Sequence, residues 1–240
     1  MDMQKIKDDC VAWIADYFAQ NGADCNAVIG ISGGKDSTIV AALCVAALGK
    51  ERVVGILMPC HKQKDIADAR RVVEHLGIRS YEADVFPAMH EVMKSVRSQV
   101  KPSVQAQINV TPRIRMATLY AFSQSLSGRV ANTCNLSENY IGFSTRYGDG
   151  AGDFAPIAML TVSELYELGR YLDIPADLVT KRPACDHGDD EAVLGFSYET
   201  LDRYIRTGVC EDATIREKIE RLWRKNRFKL ETMPCFCPTV

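Results

Sequence analysis

Apolar and polar positions alternate in blocks along this chain. Residues 4–20 set Ile6, Cys10, Val11, Ile14, Tyr17 and Phe18 near helical spacing, and Asn21-Gly22 supplies a stop. Ala27-Val-Ile-Gly-Ile31 is a short continuous apolar run, the signature of a strand buried on both faces. Residues 37–48 read as a buried helix stopped by Gly49, and Arg52 to Leu57 as a second strand. A helix over 65–76 ends at Gly77, and residues 78–83 form a third strand. A helix follows at about 86–100. Another is expected to begin after Thr111-Pro112, where proline suits the first helical turn. Arg129-Val-Ala-Asn132 reads as a short fourth strand. Thr161 and Glu164 stand at capping-box spacing and open a helix through Leu172. The rest is mainly helical, with loops at 144–154 and 181–197.

Strands alternating with helices imply βαβ units. The expected fold class is α/β: a doubly wound parallel sheet with helices on both faces, Rossmann-like, with right-handed crossovers. No repeat, low-complexity segment or linker divides the 240 residues, so one domain over 1–240 is expected, mainly helical from about 160. No run of about 18 apolar residues exists, so no membrane span is expected. The polar opening MDMQKIKDDC is unlike a secretory signal, which favours a cytoplasmic location and reduced thiols. Nine cysteines contain a single close pair, Cys235 and Cys237, and the four histidines are dispersed, so a zinc site is disfavoured. Twenty-nine cations against 31 carboxylates give a net charge of −2, which removes the global basic field that nucleic-acid binding uses.

The informative segment is Ser32-Gly33-Gly34-Lys35-Asp36-Ser37, between the first buried strand and the first buried helix. The carboxyl edge of a parallel sheet is where ligands bind. Two glycines let the backbone approach a phosphate, and the next helix presents free N–H groups and its positive dipole end. Asp36 would repel a phosphate directly. It is sensible there if it holds a divalent cation that bridges to the phosphates. The loop is not a Walker A motif, because Ile29 occupies the first glycine position and Asp36 follows the lysine.

This loop resembles the PP-loop of the ATP pyrophosphatases, which implies an adenine nucleotide alpha hydrolase-like fold. Further segments narrow the resemblance. Asn132 to Asn139 (NTCNLSEN), Ser144 to Asp149 (STRYGD) with Gly152 to Ile157 (GDFAPI), Asn109 to Tyr120 (NVTPRIRMATLY) and Asn226 to Leu230 (NRFKL) follow in the order found in NH3-dependent NAD synthetases. The resemblance implies a ligase. ATP adenylates the nicotinate carboxylate of deamido-NAD, releasing pyrophosphate, and ammonia displaces AMP to give NAD. It implies ATP contacts from Gly30, Ser32, Gly33, Gly34, Lys35, Asp36, Ser37 and Thr133. It implies Mg2+ as cofactor on Asp36 and Glu138, and deamido-NAD contacts from Arg115, Arg146, Asp153, Phe228 and Lys229. It also implies a homodimer with the dinucleotide near the interface. No cysteine need serve as nucleophile.

Four positions depart from the family pattern. Arg146 replaces a usual lysine, keeping the charge and changing its geometry. Val162 and Ala184 stand where many relatives place ATP contacts. Lys35 stands where relatives often have isoleucine or valine, and reads equally as an exposed lysine or a phosphate contact. Residues 184–197 resemble a flexible loop that orders over the ligands. The alternative is a tRNA-modifying, thiolation-type enzyme of the same superfamily, which needs catalytic cysteines near the loop. The length leaves no room for an amidase domain, so the expected nitrogen source is ammonia, free or delivered by a separate protein.

Overall fold

The structure is a computed structural model and describes residues 2–61, 65–180, 184–185 and 188–238. Asp2 opens α1 (Met3–Asn21) by accepting a hydrogen bond from the Lys5 amide at 3.1 Å, a side-chain N-cap. Then follow β1 (Asn26–Gly30), α2 (Lys35–Leu48), β2 (Val53–Leu57), α3 (Ile66–Leu76), β3 (Arg79–Glu82) and α4 (Phe86–Arg97). These match the elements expected from the apolar blocks to within two or three residues, because strong periodicity and glycine stops agree there.

The next helix does not begin at Pro112. It is α5 (Val104–Ser125), and Pro112 lies inside it. Ser103 is the true start: its hydroxyl accepts from the Ala106 amide at 3.1 Å. An interior proline forfeits one helical hydrogen bond, a loss of about 3 kcal/mol that tertiary packing must offset. Val28, Val54, Ile56 and Val130 of the sheet bury Leu119 with Met116, Tyr120, Phe122 and Leu126 of the helix and its end. Pro112 also lies beside Gly148 of the 144–154 loop, where a side chain at 148 would strike its backbone at 3.0 Å.

β4 (Gly128–Val130) completes the sheet, in the order β3–β2–β1–β4, all parallel. Ala27 pairs with Val53 and Val28 with Val130. One face packs on α1, α2, α3 and α7 (Val162–Gly169) around Phe18, Ile29, Ile39, Leu43 and Leu165, and the other packs on α5. The doubly wound arrangement is therefore present. A short helix that periodicity does not announce, α6 (Leu136–Ile141), follows β4. Six residues span too few turns to show a period.

The carboxyl-terminal part is helical: α8 (Ala176–Val179), α9 (Asp190–Leu194), α10 (Tyr198–Thr207) and α11 (Ala213–Asn226), ending in a 3-10 turn at Arg227–Lys229. The expected loop at 181–197 is partly structured. β5 (Ala184–Cys185) pairs antiparallel with β6 (Gly188–Asp189), and α9 follows, while 181–183 and 186–187 lie outside the described residues. The helix from Val162 stops at Gly169 rather than Leu172.

Buried Asp202 of α10 ties this part together. It accepts from the Ser137 hydroxyl of α6 and from the Ser163 amide and hydroxyl of α7, the latter two at 2.8 and 2.6 Å. Removing the acceptor leaves buried donors unpaired, at about 1–3 kcal/mol each. Asp202→Ala is therefore expected to lower the melting temperature by several degrees in calorimetry, and the exposed control Asp9→Ala to leave it within a degree.

Candidate active site

The chain runs outward from β1 to β2 and β3, then returns to place β4 on the other side of β1. This reversal is a topological switch point, and the crevice outside the carboxyl ends of the two flanking strands is the place a parallel sheet offers a ligand. The loop after β1 is Ile31–Gly34, and the loop after β4 is Ala131–Asn135. Both glycine-loop and NTCN segments therefore stand at one edge.

In the first loop Ser32 and Ser37 pair through their hydroxyls at 3.1 Å, and the Gly34 amide donates to the Ser32 hydroxyl at 3.2 Å. Gly33 has φ +84°, and a Cβ there would stand 2.7 Å from the Asp65 carbonyl oxygen and 2.8 Å from the Ala69 amide nitrogen. Both backbone conformation and packing against α3 thus demand glycine. Gly34 caps α2 without a side-chain hydrogen bond, so no side chain of the cap competes for the first-turn amides. Gly30 ends β1 against Met58, whose carbonyl accepts from Arg115 Nε at 3.0 Å. Arg115 is thereby fixed at the same sheet edge.

Asp36 sits in the first turn of α2. Lys35, beside it, is not an exposed lysine. Its side chain is 2% exposed, and Nζ lies 2.8 Å from both Asp36 carboxylate oxygens and 5.4 Å from the Tyr166 ring centroid. Glu138 enters from α6. Asn135 caps that helix, accepting from the Glu138 amide at 3.0 Å while the Glu138 carboxylate accepts from the Asn135 amide at 3.2 Å. The reciprocal box fixes where Glu138 points. Burial and the neighbouring Asp36 charge push the Glu138 carboxyl well above the ordinary range, opposed by Lys35. Thr133 lies half-buried in the same second loop.

Asn132 staples the 144–154 loop to this edge. Its amide nitrogen donates to the Asp149 and Ala151 carbonyls, both at 2.9 Å, and its oxygen accepts from the Cys134 amide at 2.8 Å. Beyond it lies a second cluster. The Arg146 guanidinium stands over Tyr147 at 5.2 Å and Phe228 at 5.4 Å from the ring centroids. Lys229 Nζ donates to the Gly142 and Ser144 carbonyls at 2.7 and 2.9 Å, and Asn226 donates to the Ile141 carbonyl at 3.0 Å. The end of α11 thus closes the carboxyl end of α6. Burial lowers the Lys229 ammonium, with Asp149 opposing.

Asp153 is held differently. One carboxylate oxygen accepts from Tyr120 OH at 3.1 Å and the other from the Val130 amide at 2.7 Å, so it trims the edge of β4. Val162 is buried in the α6–α7–α10 core, and its side chain offers no polar group. Sequence reasoning missed Asn135, Asn132 and Tyr166. The Asn135-x-x-Glu138 spacing was a readable capping signal; nothing in the sequence shows that Tyr166 faces Lys35.

The cysteine of the second loop is Cys134. It is buried, it donates to the Asp149 carbonyl at 3.2 Å, and burial with the nearby Glu138, Asp149 and Asp36 charges pushes its thiol well up. A thiol so held is a poor nucleophile. From this geometry, Gly33→Ala is expected to weaken nucleotide binding at least tenfold in titration calorimetry, equivalent to about 1.4 kcal/mol. Ser32→Ala, which removes one hydroxyl and leaves the backbone path, should cost less.

Comparison with known proteins identifies the family. The family model described as NAD synthase matches residues 6–233. The NH3-dependent NAD(+) synthetase of Pyrococcus furiosus is 37% identical over 191 residues, covering 78% of this chain and 74% of the relative. The structure of an NMN synthetase from Francisella tularensis superposes with a TM-score of 0.90 at 29% identity, covering all of both chains. An NH3-dependent NAD synthetase from Campylobacter jejuni superposes with a TM-score of 0.81 at 30% identity, covering 99% of this chain and all of that one. With a glycine loop and a carboxylate-bearing short helix meeting at one switch point in a chain matched almost end to end, the protein belongs to the NAD synthase family.

Proposed function

We propose that this protein is a C–N-forming ligase that amidates deamido-NAD with ammonia at the expense of ATP. The observation that carries the reading is the approach of Asp36 and Glu138, from the first turns of the helices that follow adjacent parallel strands, beside a glycine loop that opens α2. A carboxylate resists nucleophiles because it is anionic. Joining it to AMP gives a mixed anhydride with a good leaving group and releases pyrophosphate; ammonia then expels AMP and leaves NAD. No covalent enzyme nucleophile is required, which suits the inert Cys134. The thiolation-type alternative is not favoured.

The chain's own task is positioning and charge stabilisation. The Gly33–Gly34 backbone and the first amides of α2 suit phosphate oxygens, with Ser32, Ser37 and Thr133 as hydroxyl donors. Asp36 and Glu138 suit Mg2+: they are paired carboxylates that repel one another, and Mg2+ characteristically takes one or two carboxylates plus substrate phosphates. When bound there, Mg2+ would supply positive charge to the phosphates. Arg115, at the sheet edge, and the Arg146–Phe228–Lys229 cluster suit the anionic dinucleotide, with Asp153 supporting the loop that carries Arg146.

A second reading shortens the acceptor to the mononucleotide acid. It is favoured by the full-length superposition on a protein named NMN synthetase. The carboxylate chemistry is identical, so the ratio of kcat/KM for the two acids decides between the readings. Location and assembly follow the family reading: a cytoplasmic enzyme and a homodimer, with no nucleic-acid partner. No helix among the described residues is long and apolar enough to cross a membrane.

The protein incubated with ATP, Mg2+, ammonium and deamido-NAD should form NAD and AMP in equal amounts, and glutamine in place of ammonium should give none. Absence of amide from either acid at any ammonium concentration overturns the proposal. Asp36→Asn should reduce kcat at least a hundredfold while the melting temperature stays within a few degrees. Near-normal turnover in that variant would remove the metal role.

A further inference from the structure

Lys35 is the first residue of α2, and Asp36 is the second. Successive side chains on a helix diverge, so neighbours in sequence seldom meet. Here the lysine stem turns back, and its ammonium contacts both oxygens of the Asp36 carboxylate at 2.8 Å. The ammonium is enclosed: the side chain is 2% exposed, against 21% for Asp36, and the Tyr166 ring covers it at 5.4 Å. Glu138 also acts on it electrostatically. A buried cation is thus held between an aromatic face and the Asp36 carboxylate, within electrostatic reach of Glu138.

We propose that Lys35 is an internal counter-ion that closes the carboxylate pair to a divalent cation until a polyphosphate enters. The inference rests on Asp36 and Glu138 being the metal's ligands. Lys35 already engages both Asp36 oxygens, and a divalent ion there would have to displace the ammonium. It would also put three positive charges against two negative ones. An incoming polyphosphate reverses that balance, giving the ammonium and the metal a shared anion. Metal binding by this chain is therefore nucleotide-dependent, and Lys35 is a positioning residue that sets the order of addition. A purely structural ammonium would affect stability and leave metal affinity unchanged.

The test uses Mn2+ as probe, with the free ion followed by electron paramagnetic resonance. The full chain is titrated with and without α,β-methylene ATP, after correction for Mn2+ bound to the analogue itself. Wild type without nucleotide is expected to bind Mn2+ weakly, and Lys35→Met at least tenfold more tightly, with the difference shrinking to less than about threefold when the analogue is present. Adding Asp36→Asn to Lys35→Met should abolish the gain. Equal affinity of wild type and Lys35→Met without nucleotide overturns the proposal. Should Lys35→Met not fold, wild type alone decides: micromolar Mn2+ binding without nucleotide overturns the counter-ion, and weak binding enhanced at least tenfold by the analogue supports it. The metal reading fails separately, if Mn2+ binding to the analogue complex is untouched by Asp36→Asn and Glu138→Gln.

Discussion

The candidate site depends on the parallel pairing of β1 with β4. Neither strand carries Asp36 or Glu138. Their register sets the carboxyl ends of two sequence-distant segments side by side, so that the loops leaving them emerge together. Had the chain placed β4 beyond β3, the same residues would stand three strands apart. The buried Val28–Val130 pairing, with Gly128 leaving room for Val28, holds that adjacency.

From this edge outward, each candidate residue is fixed by a local device. Gly33 fits where α3 presses on the loop. Glu138 is aimed by the Asn135 box at one end of a six-residue helix, and the other end of that helix is closed by Asn226 of α11 and Lys229 of the 3-10 turn after it. A helix this short has little stability of its own. Its capping at both ends and the Asp202 bridge to Ser137 hold it in place. The carboxyl-terminal helices thus help hold the helix that carries Glu138.

Two residues have two employments each. Lys229 caps carbonyls while standing beside Arg146 and Phe228. Asp153 gives both carboxylate oxygens to the β4 edge and Tyr120. Such sharing means that losing Lys229 alters both the α6 terminus and the local charge. It also explains how a chain with net charge −2 suits polyanionic substrates: a few cations are held in place while bulk charge stays near neutral.

The strand–helix alternation, the glycine loop after β1 and the ordered set of family segments were legible in the sequence. Apolar runs, glycine stops and residue spacing are local signals, and they carried the fold class and the phosphate-loop reading. Local signals misplaced the start of α5, because proline favours a first turn and only packing against the sheet reveals that the helix runs through it. They left α6 unseen, being too short to show a period. They also left Lys35 undecided between solvent and phosphate. Its burial against Asp36 and Tyr166 depends on α7 lying across the start of α2, a contact between residues more than a hundred positions apart. Distances of that kind are fixed by the shared core, and tertiary structure alone decides them.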